Sequence, residues 1–140
     1  MKGMMIGLLM ALAATPAFAQ APVAATDAWV RAPAPGVPMT AGYVTLHNST
    51  RRAIKLTAIE SSRFERIELH RSLVVDGVSR MERVQEIVVP RRGEVALEPG
   101  GLHMMLVRPI GSVRDGDSVD LVLSFDNGWS LELTVPVRRQ

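Results

Sequence analysis

The 140-residue sequence contains no cysteine and few aromatic side chains, namely three Phe, two Trp and one Tyr. Without cysteine the chain has no disulfide framework and no thiolate ligand, which excludes a blue-copper electron-transfer centre. The scarcity of aromatic side chains argues against a stacking platform for nucleic acid, and the arginines occur in scattered pairs instead of one basic block. We therefore do not expect nucleic acid as a partner.

The sequence also lacks the motifs of the common enzyme classes. It has no glycine-rich phosphate loop, no nucleophile elbow with an accompanying Ser-His-Asp order, and no convincing pair of catalytic carboxylates. We therefore expect a protein that is not an enzyme.

A long apolar run occurs at the N terminus. Lys2, the apolar residues 4–14 and the small-x-small motif Ala17-Phe18-Ala19 together predict a cleavable signal peptide over residues 1–19. The run is too short to span a bilayer, so we expect export to the periplasm and no membrane span in the mature chain. Residues 20–27 are predicted to form a flexible leader, and residues 28–140 are enough for one domain.

No segment after the predicted signal peptide shows a sustained helical periodicity. Short stretches of alternating or β-branched residues are separated by turn residues, which is typical of an all-β Greek-key sandwich or small barrel. The strands are predicted near residues 28–31, 40–48, 54–61, 65–74, 78–84, 94–98, 102–108, 118–125 and 129–137.

Four residues stand out as candidate metal ligands: His70, Met81, His103 and Met105. Two imidazoles and two thioethers form a soft donor set that suits monovalent copper. Because thiols oxidise readily, a copper site in an oxidising compartment also benefits from the absence of cysteine.

The segment around His70 predicts how the first two candidates are placed. Strand alternation puts Ile67 and Leu69 toward the core and His70 outward. The dipeptide Asp76-Gly77 predicts a two-residue type I′ turn, which pairs residue 72 with 81 and residue 70 with 83. Met81 is then a diagonal neighbour of His70 on the same face.

The second candidate pair lies on a single predicted strand. Leu102, Met104 and Leu106 share the core face, so His103 and Met105 are expected to project outward together. Other residues are weaker candidates. Met104 is assigned to the core, His47 has no Met two residues away, and Met39 either lies near the site or, as is favoured, has a packing role. Glu68 and Arg83 flank His70; they either orient it, attract a partner or form a solvated ion pair, which is the default. Spacing alone leaves two interpretations open, a metal site or two surface histidines with two peripheral methionines.

The spacing His-x10-Met-x21-His-x-Met resembles that of the PCuAC (DUF461) family of periplasmic copper chaperones. The similarity covers the chain from about Asp27 to Arg138. It includes five further segments: Ala28-Trp29-Val30-Arg31-Ala32, Ala41-Gly42-Tyr43-Val44-Thr45-Leu46, Glu68-Leu69-His70, Asp76-Gly77-Val78 and Leu97-Glu98-Pro99-Gly100-Gly101-Leu102-His103-Met104-Met105-Leu106.

The resemblance implies a cupredoxin-like β-barrel that binds one Cu(I) near the surface through His70, Met81, His103 and Met105. It further implies delivery of copper to the copper centres of cytochrome c oxidase, directly or with a Sco-like thioredoxin-fold partner. One departure is the C terminus, residues 135–140, which lacks the His- and Met-rich tail that binds additional Cu(II) in some relatives. Copper storage or detoxification, and a metal-free β-sandwich binding module, are the alternatives.

Overall fold

A computed structural model of the protein describes residues 20–139, which form ten β-strands and no helix. This part of the chain therefore contains no helix long and apolar enough to cross a membrane. The predicted signal peptide, residues 1–19, lies outside the described residues. The strands are β1 (Val23–Arg31), β2 (Met39–Asn48), β3 (Ile54–Glu60), β4 (Phe64–Val75), β5 (Val78–Val84), β6 (Ile87–Val89), β7 (Glu94–Leu97), β8 (Leu102–Pro109), β9 (Ser118–Phe125) and β10 (Ser130–Arg138).

The strands form one open sheet in the order β5-β4-β8-β2-β1-β10-β9-β3-β6, with β7 paired to β2. A parallel pairing of β1 with β10 joins the two halves, whereas the other pairs are antiparallel. Neighbours such as β8 and β2 are far apart in sequence, so the chain crosses between the halves as Greek-key connections do. The predicted all-β class is therefore confirmed.

The core contains apolar side chains from both halves of the sheet. The inward positions of β2 and β8 include Val44, Leu46, Met104 and Leu106, and these pack in one cluster with side chains of β3, β9 and β10 such as Leu121. Because side chains alternate along a strand, each strand contributes one row to this cluster and presents the other row outward. Met104 is fully buried, which confirms its assignment to the core.

Two features of the chain differ from the sequence-based expectation. Residues 23–27 belong to β1, and residues 23–26 pair with β2, so the expected flexible leader is wrong for that stretch. The alanines and polar residues of this stretch give only a weak strand signal in the sequence. The register also shifts between Thr26 and Trp29, where Asp27 has a φ of 53°. The three-residue β6 was also missed, because so short an alternation is too weak a signal.

The β4–β5 hairpin adopts the predicted register. Asp76 and Gly77 both have positive φ angles, 51° and 76°, as a type I′ turn requires. Ser72 pairs with Met81 and His70 pairs with Arg83. This hairpin, together with β8, carries the four candidate ligands.

Candidate metal centre

The four candidate ligands lie on the outer face of three neighbouring strands, β5, β4 and β8. His70 on β4 is the direct partner of His103 on β8. Met105 is paired with Glu68 and is therefore a diagonal neighbour of His70, and Met81 is a diagonal neighbour of His70 on the other side. Diagonal neighbours have Cα atoms about 7–8 Å apart, within reach of long side chains.

The two imidazole rings are in close proximity. Their centroids are 5.7 Å apart, and the ring planes are inclined by 46°. The sequence predicted two outward pairs but not their convergence, since β4 and β8 are separated by a long stretch of chain. The antiparallel pairing of β4 with β8 brings the two pairs together.

His70 is held by a hydrogen bond to a carboxylate. Its Nε2 lies 2.8 Å from Oε2 of Glu68. Because a carboxylate oxygen only accepts, Nε2 carries the hydrogen and donates it. In the neutral ring Nδ1 then has a free lone pair, and this atom is buried without a hydrogen-bond partner in the described part of the chain.

His103 is held by a hydrogen bond to the backbone. Its Nδ1 lies 3.0 Å from the carbonyl oxygen of Gly101, so Nδ1 donates and Nε2 has the free lone pair. Nε2 is buried and finds no partner among residues 20–139. Gly100, with a φ of 85°, makes the turn that brings the Gly101 carbonyl to this position.

This arrangement is typical of metal-binding histidines. Such a histidine usually donates its other N–H to a carboxylate or a backbone carbonyl, which fixes the tautomer and orients the ring. His70 has the carboxylate of Glu68 in this role, and His103 has the carbonyl of Gly101. Each ring therefore has one buried nitrogen with a free lone pair that can bind a metal ion.

Glu68 is the centre of a small charge network. The hydrogen bond from His70, followed by that from Arg66, holds the pKa of Glu68 below its usual range, although burial acts in the opposite direction. Arg66 Nε is 3.1 Å from Oε1 of Glu68, and Arg83 Nη1 is 3.7 Å from the same oxygen. The expectation that Glu68 and Arg83 flank His70 is confirmed.

The two methionines differ sharply in exposure. Met105 is 8% exposed, whereas Met81 is 60% exposed on the edge strand β5. Met81 and Gly100 line one shallow depression, so Met81 lies beside the turn that precedes His103. The arrangement therefore has two imidazoles and one thioether in covered positions and a second thioether at the surface.

His103 and Met105 occupy the outer face, as predicted, but both are buried there, and His103 is only 3% exposed. Strand β8 lies between β4 and β2, and Val107 in the same outer row is buried as well. Tyr43 of β2 is buried on the same side, and the Trp29 ring packs against it with centroids 4.8 Å apart. Alternation predicts which face a residue occupies but not what covers that face.

Of the remaining candidates, His47 contacts Thr26 and Glu94. Met39 pairs with Val107 and is therefore a diagonal neighbour of Met105 on the same face, and it is 44% exposed, contrary to the packing role expected for it. Among residues 20–139 there is no group of three or more His, Cys, Asp or Glu side chains that could hold a metal ion. A metal at the His70–His103 pair would therefore need the thioethers.

Comparison with known proteins places the chain in a family. The model of the family described as putative lipoprotein LpqE-like matches residues 23–137. The chain therefore belongs to the LpqE-like family.

Two individual proteins are similar to the chain in sequence. A putative lipoprotein of Leifsonia xyli subsp. xyli is 27% identical over 141 residues, covering 96% of this chain and 84% of the relative. An uncharacterized protein of Rickettsia prowazekii is 28% identical over 99 residues, or 70% of this chain, and the match spans 55% of that protein.

Solved structures show the same fold. The copper-bound PCuAC domain from PmoF2 aligns with a TM-score of 0.73 and 23% identity, covering 88% of this chain and 97% of that domain. The solution structure of CuI-DR1885 from Deinococcus radiodurans aligns with a TM-score of 0.66 and 27% identity, covering 84% and 77% of the two chains. The predicted cupredoxin-like fold is thus confirmed.

Proposed function

We propose that the protein is a periplasmic copper chaperone. It binds one Cu(I) per chain through His70, Met81, His103 and Met105 and delivers the ion to the copper centres of cytochrome c oxidase. Delivery is direct or passes through a Sco-like thioredoxin-fold partner.

One observation carries the proposal: the two buried imidazole nitrogens without a hydrogen-bond partner, on rings whose centroids are 5.7 Å apart. A buried polar atom left unpaired costs about 1–3 kcal/mol, so its presence calls for an explanation. An ion bound by Nδ1 of His70 and Nε2 of His103 provides one, because it supplies the missing partner of both atoms.

The chemistry of the neighbouring donors favours the monovalent ion. Thioethers are soft ligands that bind Cu(I) well, whereas Cu(II) prefers nitrogen and oxygen in tetragonal sites. The carboxylate of Glu68, beside His70, is already engaged with His70 and Arg66. The similar protein CuI-DR1885, which is 27% identical, agrees with this choice of cargo.

The unequal exposure of the two thioethers supports a carrier function. Met81 is open to solvent on an edge strand, while His103 and Met105 are covered. We expect an acceptor's ligand to replace Met81 first, because that exchange requires no rearrangement of the sheet. The covered donors would hold the ion until the exchange is complete.

A Cu(I) titration against a competing chelator tests the binding step. The wild-type protein should bind one equivalent, and His103→Ala and Met105→Ala should each lose most of the affinity. Met39→Ala is the comparison variant, because Met39 is an exposed methionine that is not one of the four proposed ligands. Unchanged binding in both ligand variants would refute the site, and a wild type without affinity for Cu(I) would favour the metal-free binding module.

Delivery and storage require an experiment in cells. If the protein delivers copper, cells that lack it should contain oxidase with less copper when the copper supply is limiting. The wild-type gene should restore the copper content of the oxidase, and a gene encoding Met81→Ala should restore less of it. Normal oxidase metallation with reduced tolerance to excess copper would instead indicate storage or detoxification.

Export to the periplasm is tested separately. N-terminal sequencing of the protein from a periplasmic fraction should begin at Gln20, after the predicted cleavage site. Recovery of the chain with residues 1–19 attached in the cytoplasm would contradict the proposed location.

A further inference from the structure

We propose that Glu68 is a positioning residue that determines which nitrogen of His70 meets the ion. It holds the hydrogen of His70 on Nε2, so that the cargo is bound through Nδ1 of His70 but through Nε2 of His103. This inference rests on the proposed function and adds a residue and a specific coordination mode to it.

The two carboxylate oxygens of Glu68 have separate partners. Oε2 accepts the hydrogen bond from His70 Nε2, at 2.8 Å. Oε1 accepts one from Arg66 Nε at 3.1 Å and lies 3.7 Å from Nη1 of Arg83. A carboxylate held at both oxygens cannot rotate freely. Arg66 on β4 and Arg83 on β5 therefore fix the direction of the hydrogen bond between Glu68 and His70.

The position of the hydrogen on His70 decides the chemistry of the ring. A neutral imidazole can carry its hydrogen on either nitrogen, and the partner of one nitrogen selects the tautomer. Nδ1 is the nitrogen nearer the backbone, so an ion bound there lies close to β4. In His103 the Gly101 carbonyl selects the opposite tautomer, which leaves the outer nitrogen free.

An ordinary surface ion pair would not have this effect. Exposed pairs contribute little to stability and leave their side chains mobile. The side chain of Glu68, by contrast, is 17% exposed and that of His70 is 16% exposed. Glu65, on the same strand, provides the comparison, because it is paired with Arg108 at 3.3 Å and its side chain is 54% exposed.

Nitrogen-15 NMR of the histidine rings tests the tautomer directly. In the wild-type apo protein, long-range spectra should show His70 with its hydrogen on Nε2 and His103 with its hydrogen on Nδ1. Cu(I) has a closed shell, so the same spectra can be recorded on the loaded protein. There the shifted nitrogens should be Nδ1 of His70 and Nε2 of His103. In Glu68→Ala the His70 ring should become a mixture of tautomers, while His103 stays unchanged.

Chelator competition measures the effect on binding. Removing a side chain that orients a ligand typically weakens metal binding about 10–100-fold, and we expect a loss in this range for Glu68→Ala. Glu68→Gln keeps an acceptor oxygen without the charge, so its loss should be smaller. Glu65→Gln should bind Cu(I) as the wild type does.

The outcomes separate this inference from the proposed function. If the wild type binds Cu(I), yet Glu68→Ala and Glu68→Gln match its affinity and keep its tautomers, Glu68 has no positioning role. Copper bound through Nε2 of His70 in the wild type would also overturn the inference. If Glu68→Ala does not fold, the wild-type spectra decide, because a His70 ring with its hydrogen on Nδ1 contradicts the proposal. A wild type that binds no Cu(I) refutes the proposed function as well.

Discussion

The protein has two regions in which histidines occupy the outer face of the sheet, and they differ in what each ring leaves free. At His47, Nε2 lies 2.8 Å from Oγ1 of Thr26 and Nδ1 lies 3.1 Å from Oε2 of Glu94, so both ring nitrogens have a partner. At His70 and His103, one nitrogen of each ring has a partner and the other has none within residues 20–139.

The difference shows that a surface depression beside a histidine does not by itself provide a ring nitrogen that can bind an ion. The depression lined by His47 and Glu94 measures about 480 Å³. It contains no free imidazole nitrogen, because Thr26 and Glu94 engage both nitrogens of His47. A metal ion would have to displace these partners before binding there.

The largest effect on Cu(I) affinity should distinguish His70 from His47 when each is replaced by alanine. His70→Ala removes a nitrogen donor and should weaken Cu(I) binding by about 100-fold or more, equivalent to about 2.8 kcal/mol. His47→Ala should leave the affinity unchanged, because neither nitrogen of His47 is free. Chelator competition on both variants measures the difference, and equal losses would remove the distinction between the two regions.

A smaller effect should distinguish the two exposed methionines. Met81→Leu keeps the side-chain volume but removes the sulfur, and we expect Cu(I) binding to weaken about tenfold, or about 1.4 kcal/mol. Met39→Leu is the comparison variant, because Met39 is also exposed but is not one of the four proposed ligands. The transfer rate to an apo acceptor should change in Met81→Leu alone; an identical response of the two variants would rule out Met81 as a ligand.

The smallest effect is expected at a hydrogen-bonded site in the other half of the sheet. A substitution there should lower the stability of the fold without changing the affinity for copper. Oδ2 and Oδ1 of Asp120 accept hydrogen bonds from the Ser62 amide and hydroxyl, at 3.1 and 2.6 Å, which tie the β3–β4 turn to β9. We expect Asp120→Ala to lower the free energy of unfolding by about 0.5–1 kcal/mol. Urea unfolding and a parallel chelator titration measure the two quantities.

The same residue gives a pH dependence of known sign. The side-chain and backbone hydrogen bonds from Ser62 lower the pKa of Asp120 from its ordinary value of 3.8. Because the pKa is lower in the folded state than in the unfolded state, the stabilisation is present above pH 3.8 and is lost as the pH falls through the folded-state pKa. The stability difference between wild type and Asp120→Ala should therefore narrow on acidification; a difference that widened would contradict this assignment.

The local features of the candidate site could be predicted from the sequence. The turn at Asp76-Gly77 fixes the register that sets Met81 diagonal to His70, because a two-residue type I′ turn leaves no freedom in the pairing. Alternation along β8 separates Met104, in the core, from His103 and Met105 on the other face. These are short-range consequences of backbone geometry.

Other features depend on contacts that no local pattern encodes. The strand formed by residues 23–27 exists because β2 pairs with it, although its own composition predicts little structure. The covering of His103 follows from the position of β8 between β4 and β2, with the Trp29 and Tyr43 rings packed together beyond it. Burial is a property of neighbours that lie far away in sequence.

The sequence by itself therefore determined the donor types, the face that each candidate ligand occupies and the register of the β4–β5 hairpin. Only the tertiary structure decided that His70 and His103 are direct neighbours and that one nitrogen of each ring is buried and free. The physical reason is the range of the interactions. Turn geometry and side-chain alternation act over a few residues, whereas strand pairing and the choice of hydrogen-bond partners join segments that are distant along the chain.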